Sequence, residues 1–386
     1  MIGTLALAVA GLQVDGARPI DVALSSRSDV VALASRDGSV HILDAATGAS
    51  HEGRRAPAKI PGAWVVAVEP EGNVVAILDR SGGVHLWSWR EDEAPEVAHR
   101  LAIEPRTGEW AFGATLEFAP RGGRLLVGVA GEGASLLHRD GTPVRDDGRI
   151  LRTGERLGGH FFEAPLAWSG DGTRFAALLN SGPAVFDAER GRRLGASFDV
   201  GETELRAIAL DAKGQRLFVS GEAVTLIQFE VETGRRVWTS HLKPPDFGMH
   251  LFGVSSIDVS SLALSPDERL LACATSSASH AALLDARDGR HLWLGGMHGG
   301  RMGEPRLLAW SRDGKRLFHT YASGGMALVE VQINRLGGRF LGAREIVHER
   351  GAAPVFDERG LGVRITGGAV LAFDGDAGKV LWKRTL

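Results

Sequence analysis

The stretch LLDARDGRHLW, residues 283–293, contains a turn that recurs along the whole chain. In this turn an acid is followed four residues later by glycine, and a short apolar segment that ends in tryptophan comes next. The same pattern returns in ILDAATG (42–48), VFDAERG (185–191), QFEVETG (228–234) and AFDGDAG (372–378), with tryptophan again in RRVW (235–238) and KVLW (379–382). An acidic side chain can accept hydrogen bonds from N–H groups in a turn, and glycine can take the left-handed conformation that ends it. We therefore interpret these acids as structural and not as catalytic residues.

A second turn recurs between apolar segments, at intervals of 42 to 54 residues. Its eight occurrences are rich in Ser, Pro, Asp and Gly, the residues that close hairpins. They are SRSD (26–29), EPEG (69–72), APRGGRL (119–125), SGDGTRF (169–175), DAKGQRL (211–217), SPDERLL (265–271), SRDGKRL (311–317) and FDERGLG (356–362).

Each repeat of about 48 residues thus contains four short strands, and helical periodicity is hard to find. Four strands per repeat predict an all-β fold, a single β-propeller of four-stranded antiparallel blades over residues 1–386. We favour eight blades; seven is the alternative, because weak terminal repeats can merge. The repeats are expected to start near residues 19, 62, 113, 164, 205, 259, 305 and 352.

The N-terminal residues 1–15 precede the first repeat and contain an apolar segment. The outer edge of a terminal blade has unpaired N–H and C=O groups, which favour the addition of a further strand. We therefore expect residues 3–13 to pair with the last repeat, residues 354–386, and to help close the ring.

The two recurring turns and the following Leu-Trp resemble those of the WD40, YVTN and quinoprotein-like propellers, over nearly the whole chain from residue 19. No tryptophan is followed by Asp, and the Gly-His that opens a WD40 repeat is scarce. The buried His, Asp, Ser/Thr and Trp tetrad of the WD40 family is therefore not expected. The strand-exit turn is closer to the quinoprotein type.

Composition limits the partners and the cellular location. The formal net charge is −3 and the basic residues are dispersed, so we expect neither nucleic acid nor a membrane as partner. One cysteine, Cys273, excludes an internal disulfide and favours a cytoplasmic protein. Periplasmic export is the minor alternative, because the apolar run before Ala-Val-Ala (8–10) has no preceding basic residue. The excess of Arg over Lys suggests a bacterial source with a GC-rich genome.

Three connections between the fourth strand of one repeat and the first strand of the next are long: residues 145–165, 239–260 and 294–305. In a propeller they emerge on one face, and long loops on a rigid scaffold are common binding sites. Gly-Met-His occurs at 248–250 and again, one repeat later, at 296–298. Methionine and aromatic side chains are frequent in protein interfaces. Our candidate protein-binding residues are His160, Phe161, Phe162, Phe247, Met249, His250, Phe252, Met297, His298, Arg301 and Met302.

The same Met and His side chains have other interpretations. Packing of the loops onto one another is as plausible as docking of a partner. Thioether and imidazole also suit copper(I), but the spacing matches no known metal motif, so no cofactor or metal is expected.

Motifs of hydrolases and of nucleotide-binding enzymes are missing from the sequence. We therefore expect a non-catalytic scaffold that binds another protein, as a subunit of a larger assembly. The alternative is an enzyme or small-ligand binder of the quinoprotein-like type that uses the central channel. The resemblance to quinone-dependent dehydrogenases implies a vicinal disulfide, which one cysteine cannot form. A deep channel pocket lined by converging Asp, His or Arg with shifted pKa values would favour this alternative.

Overall fold

The fold was analysed in a computed structural model. It describes residues 19–51, 58–91, 94–101, 114–129, 132–144, 157, 166–195, 197–201, 203–221, 225–242, 259–275, 280–296, 305–311, 314–321, 325–333, 340–350, 355–356, 360–366, 369–374, 377 and 379–385. Secondary structure in these ranges consists of strands, turns and bridges.

The strands form separate antiparallel sheets, numbered here in chain order, and within each sheet consecutive strands are neighbours. Sheet 1 contains β1 (Pro19–Leu24), β2 (Val30–Ser35), β3 (Ser39–Asp44) and β4 (Ala58–Lys59). Sheet 2 contains β5 (Ala63–Val68), β6 (Val75–Asp79), β7 (Gly83–Trp87) and β8 (Glu96–Arg100). Sheet 3 contains β9 (Ala114–Phe118), β10 (Arg124–Val129) and β11 (Ala134–His138). Sheet 4 contains β12 (Leu166–Trp168), β13 (Arg174–Leu179), β14 (Gly182–Asp187) and β15 (Arg192–Arg193).

The second half of the chain repeats this order. Sheet 5 contains β16 (Leu205–Leu210), β17 (Arg216–Gly221), β18 (Thr225–Glu230) and β19 (Arg236–His241). Sheet 6 contains β20 (Val259–Leu264), β21 (Leu270–Thr275), β22 (His280–Asp285) and β23 (His291–Gly296). Sheet 7 contains β24 (Pro305–Trp310), β25 (Arg316–Tyr321), β26 (Gly325–Ile333) and β27 (Phe340–Arg350). Sheet 8 contains β28 (Val355–Phe356), β29 (Leu361–Thr366), β30 (Ala369–Asp374) and β31 (Lys379–Thr385).

Sheet 3 differs from the others. In the described part of the chain seven sheets have four strands, and sheet 3 has three. Where a fourth strand is expected, Pro143 forms an isolated bridge with Leu137. The Val144 N–H donates to the Leu136 carbonyl oxygen at 3.0 Å. Residues 142–144 therefore follow the edge of β11 for a short distance only.

The sheets pack face to face, and their central strands are apolar on both faces. In β2 all six residues are buried. Val30, Ala32 and Ala34 pack toward sheet 2, whereas Val31 and Leu33 pack toward sheet 8. This explains why the sequence shows continuous apolar runs and not alternation, since a strand buried on both faces has no solvent side.

Buried clusters connect sheet 8 to sheet 1 and then each sheet to the next, as far as sheet 7. The first strands of neighbouring sheets contact one another at most of the junctions, for example β1 with β5 and β16 with β20. First strands therefore line the inside of the array, and the predicted all-β propeller of antiparallel blades is confirmed.

The recurring tryptophan and the acid–glycine turn form one inter-sheet contact. Trp238 of β19 donates its indole N–H to the carbonyl oxygen of Ala286, in the turn of sheet 6, at 3.3 Å. Gly289 ends that turn with φ of 70°. A Cβ atom at Gly289 would lie 2.6 Å from a ring carbon of Trp238, so glycine is needed for both reasons.

Sheets 8 and 1 make the same contact. Trp382 of β31 donates to the carbonyl oxygen of Ala45 at 2.7 Å, and its ring covers Gly48. The Arg384 guanidinium donates to the carbonyl oxygen of Gly48, also at 2.7 Å. The chain ends are thus joined by side-chain packing between complete sheets. The expected pairing of residues 3–13 with the last repeat lies outside the described residues.

Replacing this tryptophan tests its role at the junction of the chain ends. Trp382→Ala should lower the free energy of unfolding by about 3–5 kcal/mol, and Trp238→Ala should cost a similar amount. Only Trp382→Ala should also open a junction that no continuous chain spans. We expect faster hydrogen exchange in β1–β3 and β29–β31, measured by mass spectrometry, for Trp382→Ala alone. Identical exchange patterns in the two variants would contradict this view of the closure.

Candidate functional site

The eleven predicted protein-binding residues all lie outside the described residues, in 158–165, 243–258 and 297–304. The strands that flank these segments are described. β19 continues to His241 and β20 starts at Val259, while β23 continues to Gly296 and β24 starts at Pro305. The second and third connections are therefore shorter than predicted, because strand pairing extends into both ends of each.

Antiparallel order assigns the connections to two faces. Turns between first and second strands lie at the same end of a sheet as turns between third and fourth strands. We call this end the turn face. Connections from a fourth strand to the next sheet leave at the opposite end, which we call the loop face. The three long connections, between sheets 3 and 4, 5 and 6, and 6 and 7, belong to the loop face.

The acid–glycine turns on the turn face are structural, as predicted. Asp44 accepts hydrogen bonds from the Thr47 N–H at 2.8 Å and the Thr47 hydroxyl at 2.7 Å. Burial raises the pKa of Asp44, but the bonds from Thr47 and Ala46 and the nearby His51 together lower it more, so its pKa is below the usual value. Asp187, Asp285 and Asp374 also accept from N–H groups two or three residues further on.

Neighbouring sheets are also tied together on the turn face. Arg174 at the start of β13 donates to the Gly214 carbonyl oxygen at 3.0 Å and to Glu232 at 2.6 Å, both in sheet 5. Arg216 of sheet 5 donates in the same way to Glu268 of sheet 6 at 2.6 Å. Charged side chains of this face thus form hydrogen bonds and ion pairs within the protein.

An Asp–His pair with a buried aspartate and a partly buried histidine occurs at the turn between β6 and β7. His85 Nε2 lies 2.7 Å from Asp79 Oδ2. Asp79 also accepts hydrogen bonds from the Ser81 hydroxyl at 2.6 Å and from the Gly83 N–H at 3.0 Å. Burial raises the pKa of Asp79, but these bonds outweigh it and lower the pKa. Because Ser81 donates to the acid and not to the histidine, the group lacks the nucleophile–base order of a catalytic triad.

Side chains of neighbouring sheets cap the inner edges of the first strands. Trp168 of β12 donates its indole N–H to the carbonyl oxygen of Glu117 in β9 at 3.4 Å. Trp310 of β24 makes the equivalent bond to Ala263 in β20 at 3.1 Å. Asp21 of β1 accepts from the N–H of Val66 in β5 at 2.8 Å. An unpaired backbone group at a buried strand edge is costly, so these side chains stabilise the channel wall.

Ionisation of the Asp21 carboxyl is unfavourable at this position. Burial raises the pKa of Asp21 to about 7, although the N–H groups of Val66 and Val22 act in the opposite direction.

Glu117 interrupts a regular pattern of alanines. In seven sheets the same N–H to C=O bond closes the first turn, with donors Ser25, Glu69, Ala119, Ser169, Asp211, Ser265 and Ser311. The residue two positions before the donor is alanine in six sheets: Ala23, Ala67, Ala167, Ala209, Ala263 and Ala309. In sheet 3 it is Glu117.

The orientation of Glu117 follows from its neighbours in β9. Leu116 and Phe118 pack toward sheet 2, so alternation directs Glu117 toward sheet 4. Its side chain is exposed, yet protein atoms surround it closely enough that burial raises its pKa to about 7. Glu117 is thus exposed to water at the side of β9 that faces sheet 4, with protein atoms close around it.

Glu117 was missed by motif searches because a single glutamate matches no motif. Aligning the eight first turns one below the other would have revealed it, since every other residue at that position in sheets 1–7 is alanine.

Two further observations concern the described residues only. No group of three or more His, Cys, Asp and Glu side chains there could hold a metal ion. No helix in the described ranges is long and apolar enough to cross a membrane. The Met and His side chains considered for copper(I) lie outside those ranges.

The fold and its inner wall define a β-propeller, and comparisons with known proteins agree at that level. KlHsv2 with loop 6CD replaced by a Gly-Ser linker has a TM-score of 0.57 and 10% identity, covering 86% of this chain and 99% of that one. Kluyveromyces lactis Hsv2 gives 0.54 and 11%, with the same coverage. The computationally designed Ika8 protein gives 0.57 and 16%, covering 98% of each chain. No protein-family model and no curated protein matches the sequence.

Asp21 should make stability depend on pH. Its pKa in the folded protein is about 7, against about 4 in an unfolded chain. Its contribution to stability is therefore fully present below pH 4 and is lost as the pH rises to about 7. Asp21→Asn keeps an acceptor for the Val66 N–H and removes the charge. Urea unfolding between pH 4 and 8 should show a fall in stability about 4 kcal/mol smaller in the variant than in the wild type. Parallel pH profiles would refute the assignment.

Glu117→Ala introduces the residue of the six equivalent positions and should fold normally. Because the raised pKa disfavours the folded state as the carboxyl ionises, the variant should gain stability over the wild type. The gain should grow between about pH 4.5 and pH 7 and stay constant above. Thermal unfolding over this range measures it, with the exposed Glu189→Ala as a control that should show no such trend. A loss of stability at pH 8 would mean that Glu117 has a stabilising partner.

Proposed function

We propose that this protein is a non-catalytic scaffold that binds another protein through the loop face. The observation that supports the proposal is the difference between the two faces. The described turns of the turn face are short. Acidic and arginine side chains of this face contact other residues of the protein, as Arg174 and Arg216 illustrate. The two longest connections between described strands, 139–165 and 242–258, leave from the opposite face together with 297–304, and long loops on a rigid frame favour binding.

Each of these connections spans two neighbouring sheets whose strands are fixed by buried clusters. Sheets 5 and 6 share the cluster that includes Trp238, Cys273 and Leu284. Sheets 6 and 7 share the cluster that includes Leu283 and Trp310. A partner on the loop face therefore meets loops whose ends are held at fixed separations, which lowers the entropic cost of binding.

The proposal includes three further points. We infer eight blades, with residues 142–144 in place of the fourth strand of sheet 3. We infer a cytoplasmic, bacterial protein, in agreement with a single cysteine whose thiol is buried and has its pKa raised to about 12. We infer that the partner is a protein and not nucleic acid or a membrane, since the net charge is −3.

Affinity capture from the native host tests the loop face. The test variant carries Met249, Phe252, Met297 and Met302 all changed to Ser. Its control carries four exposed turn-face residues, Arg121, Glu189, Lys213 and Asp288, changed to Ser. We expect the same partner with the wild type and the control, and at least a tenfold loss with the test variant, because buried Met and Phe anchors dominate interfaces.

Quantitative mass spectrometry of the captured proteins provides the readout, with circular dichroism to verify that both variants fold. Equal capture by a folded test variant would exclude the loop residues as the docking surface. Loss with the turn-face variant alone would assign binding to the other face.

A further inference from the structure

At one register position of the described first strands, a single carboxylate stands among alanines. Six first strands have a methyl side chain at the register position of Glu117, and Ala23, Ala167 and Ala263 are partly exposed there. Each described alanine packs toward the following sheet, as Ala23 does toward sheet 2 and Ala167 toward sheet 5. A methyl group fits between two sheets at this level, whereas a glutamate carboxylate must extend beyond the contact.

The Glu117 carboxylate has no partner among the described residues. Three other charged residues lie on first strands in those ranges, Asp21, Arg206 and Arg306, and the side chains of the first two are engaged. Asp21 accepts from the Val66 N–H, and Arg206 lies 3.3 Å from Glu204. Burial raises the pKa of Glu117, and no hydrogen bond or cation from the part of the chain that the structure describes offsets this shift. A carboxylate held in this way lowers stability unless something else compensates for it.

An aromatic side chain lies beside Glu117. The half-buried Trp168 is fixed by its indole hydrogen bond to the Glu117 carbonyl oxygen and by an edge-to-face contact with Phe175 at 5.6 Å. A carboxylate accepts hydrogen bonds from N–H donors, and an indole ring attracts cations. Methyl groups around the same level suit an alkyl chain.

From this juxtaposition we propose that Glu117 and Trp168 form a binding site in the central channel for a small organic ammonium ion with an apolar body. The carboxylate neutralises the ammonium group and the alanine ring accommodates the alkyl part. A metal ion is a poorer match, because one carboxylate and an indole supply too few oxygen or nitrogen ligands. The site is independent of the loop-face proposal, and each can fail without the other.

Titration calorimetry of the full chain with n-butylammonium chloride tests the site, and 1-butanol serves as a neutral ligand of the same shape. We expect saturable binding of n-butylammonium to the wild type and none of 1-butanol at equal concentration. Glu117→Gln should weaken binding at least tenfold, because a charged hydrogen-bond acceptor is lost. Trp168→Phe should weaken it two- to fivefold. Glu189→Gln, on the turn face, should bind as the wild type does.

The pH dependence gives a second readout. Butylammonium stays protonated between pH 6 and 8, whereas Glu117 ionises in this range, so wild-type affinity should rise with pH and then level off. Glu117→Gln should show no such rise. If that variant loses its fold, Glu117→Ala replaces it, since alanine is the residue of the equivalent positions.

Three outcomes would overturn the proposal: no saturable binding of n-butylammonium to the wild type, equal binding by wild type and Glu117→Gln, or equal binding of the alcohol and the ammonium ion. Failure of the wild type to bind, combined with destabilisation of Glu117→Gln, would identify a cationic side chain of this chain as the occupant.

Discussion

Burial of both faces of the central strands, shown for sheets 1–6, is the constraint on which this structure depends. A strand such as β2, with all six residues buried, is stable only when a sheet covers each face. A linear stack would leave two terminal sheets with one apolar face in water. The contact between Trp382 and Ala45, which are 337 residues apart, removes one such pair of exposed faces. It uses the same indole hydrogen bond that joins Trp238 to Ala286 inside the chain.

This repeated contact explains why glycine ends the acid–glycine turns. At Gly48 and Gly289 the backbone has φ near +70°, and the tryptophan ring of the preceding sheet occupies the space of a Cβ atom. The positive φ of the turn and the packing of the tryptophan ring thus both require glycine at this position. Agreement between local and global requirements is what allows a sequence to specify its fold.

The same reasoning explains what the sequence could and could not predict. The turns at 42–48 and 283–289 are local, and their side-chain hydrogen bonds form within four residues, so their structure is readable from the sequence. The apolar strands between them are short and evenly spaced, which indicated the propeller. The ends of the second and third long connections were misjudged, because pairing of β19 and β23 beyond their tryptophans depends on the partner strands β18 and β22. The contacts of the inner wall cannot be predicted from the sequence, because they join residues of different sheets, such as Asp21 and Val66.

Convergence of the first strands on the channel explains both its regularity and its exception. Neighbouring sheets lie close together at this level. Alanine therefore occupies the position two residues before the first turn's N–H donor in six of the sheets. The edge groups of these strands face the channel. Two carbonyl oxygens accept from the indole N–H groups of Trp168 and Trp310, and the Val66 N–H donates to Asp21. Glu117 meets neither demand, because it is larger than the space and its side chain caps no described edge group. Glu117 replaces the alanine of the other first strands at a cost in stability. Such an exception within a regular structure is where a functional residue is expected.

The position of Glu117 also relates the channel to the loop face. Glu117 lies in sheet 3 and Trp168 in sheet 4, and the connection 145–165 joins these two sheets. Leu157 within that connection is buried and bonded to the Glu132 carbonyl oxygen and across to Leu179, so the connection is anchored to both sheets. The connection is therefore fixed to the same two sheets that carry Glu117 and Trp168.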